Sequence, residues 1–301
     1  LLFGISLVYG ATGTLNFDEL SHRFTMAPLS IYAFLLLMAG LSFKISAVPF
    51  HLWTADVYEG APVAVTSHLS VISKGAVVFV MVSALYKLFA GIPYILYNTI
   101  FILSALSMVV GNLFALRQQN MKRFLAFSSI AQVGFILIGL AGDYAEANTS
   151  VIFFVLIYIF SNLGAFGVIS LVSAATGKER MDDYKGFYKT NPLLSWVLAI
   201  SLFSLAGIPP TAGFFGKFFL LMSGAGTGNY LWVTIAALNM IVSLYYYLKV
   251  IKAIFMDSSD QPIEKIQTSW SPRIAMAICL GGIIITGLAS GGYNYIYSLI
   301  K

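Results

Sequence analysis

Uninterrupted apolar runs of about twenty residues recur along almost the whole chain, and they limit the fold more than any other feature. A helix of roughly 20 apolar residues crosses a hydrocarbon core about 30 Å thick. The run VIFFVLIYIF at residues 151–160 lacks the alternation of apolar and polar residues that a membrane β-barrel strand requires. With 59% hydrophobic and 10% charged residues, the chain has more apolar surface than a soluble globule can bury. The sequence therefore predicts an all-α, polytopic transmembrane helical bundle.

Glycine, proline, asparagine and charged residues divide these runs into a partial helix at residues 1–10 and eight longer candidate helices. The longer candidates lie near residues 28–52, 63–89, 95–116, 122–142, 149–174, 192–222, 229–256 and 272–299. The first ten residues, LLFGISLVYG, resemble the second half of a helix and contain neither a basic segment nor a cleavage site. We therefore expect residues 1–301 to form a single transmembrane domain that is N-terminally incomplete.

Lysine and arginine residues are distributed unequally between the two ends of these helices. One side would carry Arg117, Lys122, Arg123, Lys178, Arg180, Lys185, Lys189, Lys249, Lys252, Lys265 and Arg273. The other side would carry only Arg23, Lys87 and Lys301. The positive-inside rule places the first group in the cytoplasm and the C-terminus on the opposite side. Because topology accounts for the net charge of +5, we do not predict binding to nucleic acid.

Three lysines are not explained by topology. Lys44, Lys74 and Lys217 lie within apolar segments, whereas all twelve acidic residues fall in predicted loops or at helix ends. An ionisable residue at membrane depth costs at least about 2.5–3.5 kcal/mol, so such residues usually serve a function. Without a carboxylate partner, burial favours the neutral amine, and a lysine between its two protonation states can relay protons. We expect the three lysines to be buried and to form such a relay, the alternative being structural pairing.

Two helix interruptions accompany these lysines. Pro49 follows Lys44, and Gly207, Pro209 and Pro210 precede Lys217. Interrupted segments at membrane depth require protein or water to satisfy the freed backbone groups, and pairs of them mark transporters built from inverted repeats. The sequence thus predicts two broken helices and inverted repeats, with Ala47-Val48-Pro49 corresponding to Gly207-Ile208-Pro209.

Few other residues suggest chemistry. His68 lies in a predicted span and is a candidate helper in the relay, on a different helix face from Lys74, with a packing role as the alternative. His51 is interpreted as an interface anchor, and three scattered histidines do not predict a metal site. Cys279 is the only cysteine, so no disulfide or Cys-ligated cluster forms within the chain. Polar residues at Ser70, Ser73, Ser128, Ser129, Gln132, Ser161, Asn162 and Asn239 are candidates for carrying water between the lysines.

Three stretches together resemble a known family. FKISAVPFHLWTADVYEGAPVAVTSHLSVISKG (43–75), GNLFALRQQNMKRFLAFSSIAQVGF (111–135) and LAGIPPTAGFFGKFFLL (205–221) are similar to the antiporter-like membrane subunits of proton-pumping NADH:quinone oxidoreductase, respiratory complex I. The motif HLWTADVYEGAP resembles the subunit N group in particular. The resemblance covers nearly the whole chain.

This resemblance implies a specific architecture and role for each lysine. Family members have fourteen helices and two inverted five-helix repeats, and this chain would run from the end of the sixth helix through the fourteenth. Lys44 would be the lysine of the broken seventh helix, paired with a glutamate on the fifth helix. Lys74 would be the central relay lysine of the eighth helix. Lys217 would be the lysine of the broken twelfth helix, near the exit of the pathway.

The resemblance further implies a translocase subunit that carries no cofactor and performs no redox chemistry itself. NADH, FMN, iron–sulfur clusters and quinone would bind in other subunits of a hetero-oligomer embedded in the lipid bilayer of the bacterial plasma membrane. Two alternatives remain at this point. One is a subunit of a cation/proton antiporter complex without redox input, and the other is a membrane subunit that only scaffolds a complex.

Overall fold

The computed structural model describes residues 1–89, 91–289 and 291–301, with only the backbone described for Ser21, and this part of the chain is almost entirely helical. Its α-helices are α1 (Leu2–Thr12), α2 (Phe17–Arg23), α3 (Pro28–Ile45), α4 (Leu52–Gly60), α5 (Val63–His68), α6 (Lys74–Lys87), α7 (Pro93–Arg117), α8 (Met121–Gly139), α9 (Tyr144–Thr176), α10 (Phe187–Thr190), α11 (Pro192–Ala206), α12 (Ala212–Ala225), α13 (Tyr230–Phe255), α14 (Trp270–Leu288) and α15 (Gly291–Ile300). A π-helical segment, Leu69–Ser73, joins α5 to α6, and a 3₁₀ turn covers Met181–Tyr184. No β-strand occurs within these ranges, where the one extended pairing is a bridge between Asn120 and Arg180. The predicted all-α class is confirmed.

Seven helical segments in the described residues are long and apolar enough to cross a membrane. They correspond to seven of the eight longer predicted candidates, and the eighth, 192–222, is divided between the shorter helices α11 and α12. The predicted segment 272–299 consists of α14 and α15, and residue 290 between them lies outside the described residues. The acidic stretch after Pro49, expected to be a loop, forms helix α4. A nine-residue helix with two carboxylates has too little apolar length to be recognised as a span from composition.

Both predicted helix interruptions are present and share one backbone geometry. α3 ends at Ser46 (φ 66°) and α11 at Gly207 (φ 84°), both in the left-handed region. The next residue donates its N–H five residues back in both cases, from Ala47 to Ser42 and from Ile208 to Phe203, at 2.8 and 3.1 Å. This is the hydrogen-bond pattern of a Schellman helix end.

The shared geometry fixes the correspondence between the two interruptions. Ser46 aligns with Gly207, so Pro49 aligns with Pro210. The predicted match of Ala47-Val48-Pro49 with Gly207-Ile208-Pro209 is therefore wrong by one residue. The sequence match was aligned on the wrong proline, because the second interruption contains two adjacent prolines. The residue with positive φ marks the equivalent position in each break.

The two broken helices run in opposite directions through the bundle. Four crossings separate them, namely the continuous α5–α6 segment, α7, α8 and α9. Because successive crossings reverse direction, α3–α4 and α11–α12 are antiparallel, as inverted repeats require.

Helix α8 lies at the centre of the bundle, and 94% of its membrane-spanning residues are buried. It packs closely against α7, where a Cβ at Gly111 would lie 2.6 Å from the backbone nitrogen of Ala131 and one at Gly134 would lie 2.7 Å from that of Met108. Small residues at such contacts allow membrane helices to approach closely. α8 can therefore present polar side chains to both broken helices.

Three loops that carry residues of the predicted basic side, at 117–123, 175–191 and 257–272, meet at one end of the bundle, here called the basic end. Met121 N–H donates to Glu179 O at 2.8 Å, and Met181 N–H donates to Gln119 O at 2.7 Å. The Asn191 side chain donates to Glu264 O at 3.0 Å, which joins the segment before α14 to the same end. The predicted grouping of these three loops is confirmed.

Candidate functional site

Lys74 is buried in the interior of the bundle, directly after the π-helical segment Leu69–Ser73. Its side chain is enclosed by α4, α8 and α9, and the residue is 3% exposed. The ammonium nitrogen Nζ donates to Ser129 Oγ on α8 at 2.8 Å. It also lies 5.6 Å from the centroid of the Tyr58 ring on α4, within the range of a cation–π contact. π-helical segments of this kind occur often at functional sites.

The surroundings of Lys74 are polar but contain no carboxylate partner among the described residues. Ser70 Oγ lies 3.1 Å from Tyr158 OH, and Asn162 Nδ2 donates to Ser70 Oγ at 3.4 Å. A cavity of about 10 Å³ is lined by Lys74, Ser129, Gln132 and Tyr158, among others. That volume is close to the minimum that holds one water molecule. Lys74 thus has a hydroxyl partner and, beside it, a space of about the size of one water molecule in place of a counter-ion.

Lys217 is also buried, and it binds the end of the helix that the second interruption creates. Its Nζ donates to the carbonyl oxygens of Leu205 at 2.8 Å and Ala206 at 3.2 Å, and the residue is 0% exposed. These carbonyls belong to the last turn of α11, where no intrahelical donor is available. A helix C-terminus carries partial negative charge, so this position suits an ammonium group. The Phe135 ring centroid lies 4.8 Å from the same nitrogen.

Gln132 on α8 connects the two lysines. Its Nε2 donates to Leu205 O at 3.0 Å, the same carbonyl that accepts from Lys217, and to Tyr247 OH at 3.3 Å. Ser129 precedes Gln132 by three residues, so both lie on one face of α8. A set of polar groups therefore runs from Lys74 through Ser129 and Gln132 to the Leu205 carbonyl and Lys217, and Ser129 and Gln132 are joined within it by the small cavity that both line.

The remaining predicted relay residues lie apart from this set. Lys44, in the last turn of α3, and His68, at the end of α5, are both exposed on the surface of the described chain. The prediction that all three lysines are buried is therefore correct for Lys74 and Lys217 and wrong for Lys44 within this chain. Lys44 is exposed next to Phe43, whose ring stacks on Trp53 of α4 with the centroids 5.4 Å apart. His68 is exposed and Lys74 is buried, so the two residues lie on different faces of the helix, as their six-residue separation predicts.

His51 was interpreted as an interface anchor, but the structure buries it beside the first interruption. Its Nδ1 has no hydrogen-bond partner among the described residues, and the same holds for the hydroxyls of Ser42, Ser46, Thr54 and Tyr58. Buried polar groups in proteins are almost always hydrogen-bonded to protein or water. The inner face of the first broken helix is therefore suited to contact water.

Comparison with known proteins identifies the family. Residues 1–243, which include both interruptions and all three lysines, match the family model described as NADH:quinone oxidoreductase/Mrp antiporter, TM. The chain belongs to this family. NADH-quinone oxidoreductase subunit N of Azobacteroides pseudotrichonymphae is 48% identical over 301 residues, covering 99% of this chain and 63% of that protein. Its counterpart in Phocaeicola vulgatus is 45% identical over 294 residues, covering 97% of this chain and 62% of that protein.

A solved structure supports the same assignment to the NADH:quinone oxidoreductase/Mrp antiporter family. A chain of respiratory complex I from Thermus thermophilus, determined with bound aureothin, is similar to this chain with a TM-score of 0.81 and 32% identity. The match covers 96% of this chain and 63% of that one. The chain thus spans somewhat less than two thirds of the length of these relatives.

In this family member, several groups at the site were not predicted from sequence. Tyr58, Tyr158 and Tyr247 were passed over because tyrosine is common in membrane helices, although each is buried with its hydroxyl near the polar set. The Leu205 carbonyl, which joins Gln132 to Lys217, is a backbone group and leaves no signal in the residue type. Among the suggested water carriers, Asn239 instead pairs with Asn112, which donates to its Oδ1 at 2.8 Å.

Metal binding has no support in the part of the chain that the structure describes. No three His, Cys, Asp or Glu side chains come together there in a way that would hold a metal ion. Cys279 is buried on α14.

Proposed function

We propose that this chain is a proton-translocating membrane subunit of an NADH:quinone oxidoreductase. It would act within a hetero-oligomer of membrane subunits in the lipid bilayer, and quinone reduction in other subunits would drive it. The family assignment and the relatives named NADH-quinone oxidoreductase subunit N support this proposal. The same family description includes Mrp antiporters, so a cation/proton antiporter subunit is the alternative against which the proposal is tested.

The observation that carries the proposal is the polar connection between two buried lysines. Lys74 bonds Ser129, Gln132 bonds the Leu205 carbonyl, and the same carbonyl accepts from Lys217. An amine that loses a proton can accept another, whereas a lysine fixed in a salt bridge keeps its charge. Because neither lysine has a carboxylate partner in the described residues, each is free to change protonation state. Protons would pass from Lys74 to Lys217 through Ser129, Gln132 and intervening water.

Lys44 and His68 complete the proposed relay at its other end. Lys44 would pair with a carboxylate that lies outside this chain, and it would pass its proton towards Lys74 when that pairing breaks. His68 would assist at the surface of α5. Moving one charge against the membrane potential requires about 2.3 kcal/mol per 100 mV. Changes in electrostatic coupling between buried charges reach that size, since one unit of pKa corresponds to about 1.4 kcal/mol.

The proposal includes a location and a division of labour. We infer a bacterial plasma membrane, with the basic end in the cytoplasm and the C-terminus on the opposite side, because basic loops favour the cytoplasm. We also infer that residues 1–301 form one transmembrane domain, equivalent to the end of the sixth through the fourteenth helix of its family. NADH, FMN, iron–sulfur clusters and quinone would be bound by other subunits.

The test is replacement of Lys74 in the assembled complex. Lys74→Ala should lower NADH-driven proton transport into vesicles by about tenfold or more, corresponding to about 1.4 kcal/mol in the barrier. Lys87→Ala, which removes an exposed lysine from the end of the same helix, is the matched control and should leave transport unchanged.

Two results would overturn the proposal. Normal proton transport by Lys74→Ala at normal assembly would support a scaffolding subunit. Sodium-dependent transport by a complex without quinone reductase activity would support the antiporter alternative.

A further inference from the structure

Arg123, near the start of α8, holds two carboxylates of α4 at once. Its Nη1 lies 2.6 Å from Asp56 Oδ1 and 2.8 Å from Glu59 Oε2. The guanidinium also lies 5.9 Å from the centroid of the Phe127 ring on its own helix. These three groups, Arg123, Asp56 and Glu59, form what we call the α4 clasp. The clasp joins the central helix to the second half of the first broken helix.

The clasp is one of several contacts that position helix α4, another being the hydrogen bond that Trp53 Nε1–H donates to Phe43 O of α3 at 3.1 Å. The interruption around Pro49 separates α4 from α3, and isolated helices of nine residues are marginal. One side of α4 is uncovered, with Leu52 76% exposed. On the other side, Thr66 Oγ1 donates to Tyr58 O at 3.0 Å. The clasp and this hydrogen bond hold the same turn of α4 from two directions.

Tyr58 is the only residue of this turn whose side chain reaches the relay. Asp56 is exposed, whereas Tyr58 is fully buried with its ring 5.6 Å from Lys74 Nζ. Successive residues of a helix are rotated by about 100°, so the two carboxylates that flank Tyr58 in sequence point away from it. A change in the rotation of α4 therefore moves the ring relative to the ammonium.

We propose that Arg123 is a positioning residue that, through Asp56 and Glu59, fixes the rotation of α4 and holds the Tyr58 ring against Lys74. This inference rests on the proposed function, because it concerns how the relay lysine is stabilised. A ring face stabilises an ammonium group but not a neutral amine. The clasp thus maintains the charged form of Lys74 as one state of the relay.

A role in stability alone does not explain this arrangement. The clasp is partly exposed, with side-chain exposures of 32% for Arg123, 74% for Asp56 and 43% for Glu59. Exposed ion pairs contribute little to folding. Loss of the clasp should therefore leave the amount of assembled complex unchanged and alter proton transport.

The experiment measures protons transported per NADH oxidised in the assembled complex. Arg123→Gln should lower this ratio by about two- to fivefold, the size of typical couplings between contacting residues. Arg117 is exposed at the end of α7, at the same end of the bundle, so Arg117→Gln removes the same charge and should behave as the unmodified complex. Arg123→Lys can still bond one carboxylate and should restore part of the ratio.

A double-mutant cycle tests whether Arg123 acts through Tyr58. Tyr58→Leu should lower the ratio as Arg123→Gln does, and the two changes together should lower it no further than either alone. Additive effects, or a normal ratio in Arg123→Gln, would refute the clasp proposal. If Lys74→Ala also transported normally, the proposed function itself would fail. If only Arg123→Gln were normal, the clasp alone would be rejected.

Discussion

The two broken helices share a backbone geometry but differ in what surrounds it. At the second interruption, Lys217 lies after the break and satisfies the freed carbonyls of Leu205 and Ala206. At the first, Lys44 lies before the break, is exposed, and bonds none of the freed carbonyls. Four buried polar atoms without a protein partner among the described residues, on Ser42, Ser46, His51 and Thr54, lie within a few residues of that first break.

The same helix-end geometry therefore occurs in two different polar surroundings. At the second interruption Lys217 satisfies the freed carbonyls, and we call this break closed in that sense, although Pro209 and Pro210 are exposed. The first is open, because its polar groups need water or a neighbouring segment as partners. An open break suits the uptake of protons, and a closed break suits a site that holds them.

The largest expected effect concerns two equivalent residues near the start of the helix that follows each break. Gly213 and Leu52 occupy equivalent positions, yet a Cβ at Gly213 would overlap the carbonyl oxygen of Ser204, whereas Leu52 is 76% exposed. Gly213→Ala should destabilise the subunit by about 3 kcal/mol, as overpacking of a filled interior does. Leu52→Ala should change stability by less than about 0.5 kcal/mol.

Thermal inactivation of the solubilised complex, together with the amount of assembled subunit, measures both effects. Equal midpoints for the two variants would contradict the distinction between a closed and an open break.

Much of the fold and part of the candidate site could be predicted from the sequence. The features that could not be predicted have physical causes. Apolar length predicted the spans, proline and glycine predicted both breaks, and the depth of Lys74 and Lys217 predicted their burial. The exposure of Lys44 could not be predicted, because residue type does not reveal which face of a helix its neighbours cover. The junction at Leu205 could not be predicted either, because any residue supplies a carbonyl. Helix α4 was missed because its two carboxylates resemble a loop until Arg123 is seen to pair with them.

A second prediction concerns substitution of the residue with positive φ at each break. Gly207→Ala should destabilise the closed break by about 1–2 kcal/mol, since a left-handed conformation strains any side chain. Its Cβ would also lie 3.2 Å from Lys217 Cδ and displace the lysine. Ser46→Gly should stabilise the open break by about 0.5 kcal/mol, because relief of strain exceeds the added flexibility of glycine.

Gly177→Ala provides the control for this exchange. Gly177 has φ 69°, but its added Cβ would contact nothing within 4 Å. The change in thermal midpoint of the Gly177→Ala variant measures the cost of backbone strain alone. If Gly207→Ala lowers the midpoint further and also lowers proton transport, the additional effect comes from the contact with Lys217. If Ser46→Gly and Gly207→Ala changed the thermal midpoint in the same direction, the two residues with positive φ would not be under equivalent strain.

The smallest expected effect tests whether acid acts on the breaks or on the loops. Partial burial acts to raise the pKa of the Glu179 carboxyl, but hydrogen bonds from Lys122 at 3.0 Å and Ser173 at 2.8 Å outweigh it and hold that pKa below its ordinary value of 4.5. A lowered pKa contributes stability that is complete above the unfolded value and is lost as pH falls through the folded value. Glu179→Gln should therefore cost about 1 kcal/mol at pH 7 and reduce the loss of stability below about pH 4.5. Glu179 lies in the loops of the basic end and at neither break, so Glu179→Gln should leave the difference between Gly213→Ala and Leu52→Ala unchanged both at pH 7 and at pH 4. If Glu179→Gln altered this difference, measured as thermal midpoints in detergent, the loops of the basic end would be acting on one of the breaks.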